Sequence, residues 1–121
     1  MNILVVDDST AIRKILIRVL RQTGLDIGEI FEARDGVEAL DTLRQHSFNL
    51  VLSDINMPNL DGLGLLAELK NTPAWRSLPV VMITTEGSEE KVSQAIRLGS
   101  AAYIRKPFTA EQIQEKIGAL L

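Results

Sequence analysis

The chain has 121 residues, 45% of them hydrophobic and 24% charged, the size and make-up of one globular domain around one core. Thirteen basic residues against sixteen acidic ones give a formal net charge of −3, so the basic excess of a stand-alone nucleic-acid binder is lacking. Cysteine is absent, which removes disulfides, thiolate zinc sites and iron–sulfur clusters. The one histidine, His46, cannot build a histidine-rich metal site.

Five short apolar runs alternate with helical patterns. The first run, Ile3–Val6, stops at Asp7 and Asp8, and Ile12, Ile15, Leu16, Val19 and Leu20 follow at helical spacing until Gly24. The second, Ile27–Phe31, leads through Asp35 and Glu38, at capping-box spacing, into Val37, Leu40 and Leu43, with His46 closing that helix. The third, Leu50–Leu52, precedes a helix carrying Leu63, Leu66 and Leu69, after which Trp75 reads as a packing residue of the connection. The fourth, Val80–Ile83, precedes Val92, Ala95 and Ile96. Ser88-Glu89-Glu90 places acid at the positive end of that helix, and Gly99 ends it. The fifth, Ala101–Ile104, precedes Ile113, Ile117 and Leu120, opened by Thr109 with Gln112.

Strands 1, 3 and 4 are almost continuously apolar, so both faces are covered, as in a parallel sheet between helices. The expected fold is α/β: a (βα)5 open, doubly wound, flavodoxin-like sheet of order 2-1-3-4-5. No apolar run approaches the roughly 18–20 residues that span a bilayer, and the early aspartates spoil a secretory signal. A cytoplasmic chain without membrane insertion is expected.

In open α/β sheets ligands bind beyond the carboxyl ends of the strands. There strand 1 runs into Asp7-Asp8, strand 3 into Asp54, strand 4 into Thr84-Thr85 and strand 5 into Lys106-Pro107. Two carboxylates about 4 Å apart repel by roughly 4 kcal/mol at an effective dielectric near 20, so three need protonation, separation or a cation. Lys106 can neutralise one. An all-oxygen donor set selects a hard ion for the rest, Mg2+ or Mn2+ rather than Zn2+. Singly, each residue has a plain structural role: Asp8 or Ser9 as a helix N-cap, Asp54 as a turn residue, Thr84 as a core hydroxyl, Lys106 as a solvated lysine. Their convergence on one edge favours a site.

These residues carry a resemblance. Val5-Val6-Asp7-Asp8-Ser9, the stretch Asp54-Ile55-Asn56-Met57-Pro58-Asn59-Leu60-Asp61-Gly62, Ile83-Thr84, and Tyr103-Ile104-Arg105-Lys106-Pro107-Phe108 together resemble the receiver domain of bacterial two-component response regulators, in order and along the whole chain. The single-domain, CheY-like members are especially similar. The 2-1-3-4-5 order is known from flavodoxin and from CheY, so that part of the topology comes with the resemblance.

The resemblance implies that Asp54 accepts a phosphoryl group from a sensor histidine kinase or a small phosphodonor. It implies Mg2+, or Mn2+, held by Asp8, Asp54 and the backbone carbonyl of Asn56, with Asp7 acting through water. Lys106 and Thr84 would bind phosphoryl oxygens, and Lys106-Pro107 would be a cis peptide. Thr84 and Tyr103 would form the switch, and Asn56 and Glu86 would tune self-catalysed dephosphorylation. Output would pass to a downstream protein through the face of helix 4, strand 5 and helix 5, in a pathway such as chemotaxis. The carrier would be a monomer of one domain spanning 1–121, not an enzyme acting on other substrates. A phosphorelay receiver, or a receiver cut from a larger regulator, is the alternative.

Three rivals fare worse. A flavin carrier needs a phosphate loop after strand 1, where Asp7-Asp8 would repel phosphate, and only 4% of residues are aromatic. An aspartyl phosphatase carries its nucleophile after strand 1 with a second aspartate two residues on, whereas the candidate here follows strand 3. An interaction module that never takes phosphate would have no need of the complete polar set.

Overall fold

The computed structural model describes residues 1–85 and 89–120. Strands β1 (Ile3–Val6), β2 (Ile30–Ala33), β3 (Leu50–Asp54), β4 (Val80–Thr84) and β5 (Ala102–Arg105) alternate with helices α1 (Thr10–Gln22), α2 (Gly36–Gln45), α3 (Gly62–Lys70), α4 (Glu89–Leu98) and α5 (Ala110–Gly118). The strands form one parallel sheet of order β2-β1-β3-β4-β5, as expected from the sequence.

Strand periodicity sorts the core into two layers. Leu4, Val6, Val51 and Met82 meet Leu43 of α2, Leu66 and Leu69 of α3 and Val92 of α4 on one face. Ile3, Val5, Leu52 and Val81 meet Leu16 and Leu20 of α1 and Ile113 and Ile117 of α5 on the other. Every residue of β1, β3 and β4 is buried, which is why those segments read as unbroken apolar runs.

Two local expectations are corrected. β2 covers residues 30–33 rather than 27–31. The ladder begins at Ile3 opposite Ile30, because Gly28 N donates to Met1 O and Ile3 N to Glu29 O, so Ile27 packs on the core from the preceding loop. Ile15, Val37 and Ile96, placed on apolar helix faces by their spacing, are 41%, 50% and 55% exposed. Leu16 and Leu20, Ala39, and Ala95 take the core-facing line instead, and the stripe's margin stays in water.

The helix signals hold in most places. Gly24 and Gly99 adopt φ of 78° and 103°, the left-handed conformation that ends a helix without a Cβ clash. Ser9 caps α1, and Thr109 and Gln112 make the full reciprocal box on α5. At α2 only half the expected box forms: Asp35 Oδ1 accepts from Glu38 N at 2.8 Å, while the Glu38 carboxylate turns to Arg34 at 3.1 Å. His46 is the C-cap of α2, its ring 4.4 Å from that of Phe31.

Asp35 also fastens the loop after β3. Its Oδ2 accepts from Asn59 Nδ2 at 2.7 Å, and beside it Gly36 N donates to Leu60 O at 2.9 Å. The hydrogen bond from the Glu38 backbone, reinforced by Asn59, holds the Asp35 carboxyl below its ordinary pKa. A carboxylate depressed in the folded state stabilises above its unfolded pKa, and that stabilisation is lost as the pH falls through the folded value. Asp35→Ala is therefore expected to cost about 1–2 kcal/mol at neutral pH, with the gap to wild type closing in strong acid. Urea melts at two pH values check this.

Candidate functional site

The site lies at the carboxyl ends of β1, β3, β4 and β5, where the sheet order places four polar segments on one rim. Asp7 directly follows β1 and is 1% exposed. Its Oδ1 accepts from Ser9 N at 2.9 Å, and its Oδ2 from Lys106 Nζ at 3.0 Å. Asp8, the residue before the Ser9 cap of α1, is exposed. Asp54 ends β3 at 8% exposure, and its orientation is set by the Ile55 N–H, which donates to Oδ1 at 2.8 Å. Lys106 Nζ stands 3.4 Å from Asp54 Oδ2, so one ammonium bridges two buried carboxylates. Carboxylate oxygens of Asp7, Asp8 and Asp54 all lie within 4.8 Å of one another.

Local backbone holds this geometry. Lys106 N donates to Thr84 O at 2.7 Å, tying the end of β5 to that of β4, and the Lys106–Pro107 bond is cis. Gly62 N donates to Ile55 O at 2.8 Å, drawing the start of α3 against the end of β3. A Cβ on Gly62 would strike the Asp54 carbonyl and come within 2.8 Å of Ile55 Cα, so glycine is required there by proximity.

The electrostatics are strained in one direction. Burial pushes the Asp54 carboxyl above the ordinary carboxylate range; Lys106 pulls it back, and Asp7 adds to the rise. For Lys106, burial alone would lower the pKa, but the hydrogen bond to Asp7 and the field of Asp54 outweigh it and hold the ammonium above its usual value. Three carboxylates against one ammonium leave the rim short of positive charge, and oxygen donors at this spacing suit a hard divalent ion.

Of the residues singled out from sequence, Asp7, Asp8, Asp54 and Lys106 meet at this rim. Thr84 is buried beside it, its Oγ1 donating to Thr85 O at 3.2 Å. Asn56 lies in the turn after β3, exposed, and its Oδ1 accepts from Lys91 of α4. Tyr103 is half-buried on β5 with Lys116 Nζ 5.9 Å from its ring centroid. Glu86 and Ser88 lie outside the described residues. Sequence reading passed over Arg13, whose Nη1 donates to Asp7 O at 2.6 Å while Nε pairs with Glu32 at 3.0 Å. A cation one turn into the helix behind the acidic pair was its available signal. It also passed over Lys91, which no spacing rule links to Asn56.

Residues 3–118 match the family model of the response regulator receiver domain. The chain belongs to that family. The receiver domain is 39% identical over 117 residues to chemotaxis protein CheY-3 of Vibrio cholerae, a match that covers 97% of this chain and 88% of the relative. Its fold superposes on the solved chemotaxis response regulator CheY4 of Vibrio cholerae with a TM-score of 0.87 at 31% identity, covering 99% of this chain and 98% of that one. The Mn2+-bound form of response regulator Rcp1 gives a TM-score of 0.80 at 31% identity over 98% of this chain and 90% of that one. Among the described residues, no helix of the receiver domain is long and apolar enough to cross a membrane.

Proposed function

We propose that this receiver domain is a phosphorylation-driven switch whose acceptor is Asp54. The observation that carries the reading is the buried Asp54 carboxylate, 3.4 Å from Lys106 Nζ, within an acidic trio of mutually close oxygens. Asp8, Asp54 and the Asn56 carbonyl, with Asp7 through water, would hold Mg2+, or Mn2+, the ion bound in the similar response regulator Rcp1. When bound, the ion supplies positive charge to neutralise the transferring phosphoryl group.

The chain's own residues do the rest. An Asp54 carboxylate oxygen attacks phosphorus in line, the donor's phosphorus–nitrogen or phosphorus–oxygen bond breaks, and the electron pair leaves with the donor. Lys106 holds a phosphoryl oxygen and is itself aimed by Asp7. Thr84 gives up the Thr85 carbonyl to donate to a second oxygen. Its movement opens space near Tyr103, which turns inward and alters the surface of α4, β5 and α5. There Tyr103, Ile104, Arg105, Gln112 and Lys116 line a groove of about 220 Å3. The added charge of about −1.5 to −2 selects between two arrangements a few kcal/mol apart.

A sensor histidine kinase is the natural donor and a downstream protein the reader. Relatives named as chemotaxis proteins support a chemotaxis pathway for a cytoplasmic monomer that catalyses only its own phosphorylation and dephosphorylation, with Glu86 and Asn56 tuning the latter. Incubation with an acyl-phosphate donor and Mg2+ is expected to add one phosphoryl group per chain. A protein that stays unlabelled by intact mass under those conditions, or is labelled equally after the metal is chelated, would overturn the reading.

A further inference from the structure

We propose that Lys91 is a positioning residue that prolongs the life of the phosphoryl group by occupying Asn56; the inference rests on Asp54 being the acceptor. Lys91 lies in the first turn of α4, and its exposed ammonium donates to the Asn56 side-chain oxygen, 35 positions away in sequence. The same turn also approaches β5, where the exposed Glu89 Oε1 lies 3.9 Å from Arg105 Nη2. One helical turn thus bonds to the loop after β3, two residues beyond Asp54, and lies near the end of β5, one residue before Lys106.

Asp54 is 8% exposed, so water must reach an ester on it through the open rim on which Asn56 stands. Hydrolysis adds the oxygen of that water to phosphorus. The bond from phosphorus to the Asp54 oxygen breaks, its electron pair returns to the carboxylate, and the water's proton passes to solvent through phosphate. A side-chain amide oxygen beside the path is the kind of acceptor that would orient the attacking water. Lys91 uses that oxygen, and an ammonium offers donors only, so it neither orients water through a lone pair nor takes its proton. The contact competes with water's access to Asn56.

Removing the ammonium frees the acceptor. The energy at stake is that of one hydrogen bond, so Lys91→Ala is expected to speed phosphoryl loss about three- to tenfold, and Lys91→Arg to restore the slow rate because a guanidinium donates to the same oxygen. Phosphate release is followed after removal of an acyl-phosphate donor. In an Asn56→Ala background, Lys91→Ala should change nothing further, a coupling that a purely structural role would not produce. In metal-free protein the Asn56 side-chain amide resonances should shift in Lys91→Ala and return towards wild type in Lys91→Arg. Equal or slower loss in Lys91→Ala, or full additivity with Asn56→Ala, overturns the role of Lys91. A wild-type chain that takes no phosphoryl group counts against the acceptor reading instead.

Discussion

Asp54→Asn is expected to reduce phosphoryl incorporation to background and, in metal-free buffer, to melt higher than wild type. The first effect follows from replacing the nucleophilic oxyanion by a neutral amide. The second follows from the raised pKa of Asp54, whose first cause is burial. A carboxyl raised in the folded state keeps its proton longer there than in the unfolded chain, so folded protein binds more protons and stability falls as pH rises. The loss begins near the unfolded value of about 3.9 and is complete once pH exceeds the raised folded value, so above that value wild type carries the whole penalty. The amide carries none. Lys106 keeps Asp7 at 3.0 Å, so the variant leaves no unpaired ammonium. Mg2+ should reverse the ranking. Saturation at a hundred times the dissociation constant stabilises wild type by about 2.7 kcal/mol, whereas the variant has lost one of its anionic ligands. Melting curves with and without Mg2+ at neutral pH read both signs. A metal-free Asp54→Asn protein that melts lower than wild type would show that the buried charge is better compensated than the geometry indicates.

Gly62→Ala should be the most destabilising single-methyl change at the site. The added carbon meets the Asp54 carbonyl and Ile55 Cα, which are backbone atoms at the end of a buried strand and cannot rotate aside. Relief requires α3 to back away, breaking the bond from Gly62 N to Ile55 O. A cost of about 2–4 kcal/mol is expected, a fall in melting temperature on the order of 10 °C for a domain of this size. Mg2+ affinity should weaken with it, because Asp54 and Asn56 straddle the displaced backbone. An unchanged melting temperature would mean that the start of α3 gives way at little cost.

The sequence made the architecture legible because each buried strand has apolar residues on both faces and most helices start with a polar cap. It made the site legible because Asp7, Asp8, Asp54 and Lys106 sit at strand ends, where parallel topology brings distant residues together. What stayed hidden depends on local competition. The start of β2 was set by Gly28 bonding to Met1, which no periodicity contains. Glu38 chose Arg34 over the helix N-cap, a contest between two nearly equal partners. Lys91 and Asn56 meet only because α4 lies over the loop after β3, and the nearness of Gly62 to Asp54 comes from a tight turn that the residue type alone does not announce.

Strand order also fixes how far Asp54, the proposed acceptor, stands from the Tyr103 ring. Asp54 pairs with Ile83 across one ladder, and Tyr103 with Met82 across the next, so the two are separated by a single intervening strand. Two lateral steps of about 4.8 Å amount to roughly 10 Å, through a strand buried along its whole length. On the proposed switch, a phosphoryl group on Asp54 would act across that short, buried span by contact from side chain to side chain. Dissolved ions have no path into that interval, so the internal relay should tolerate brine even where encounters with partner proteins do not.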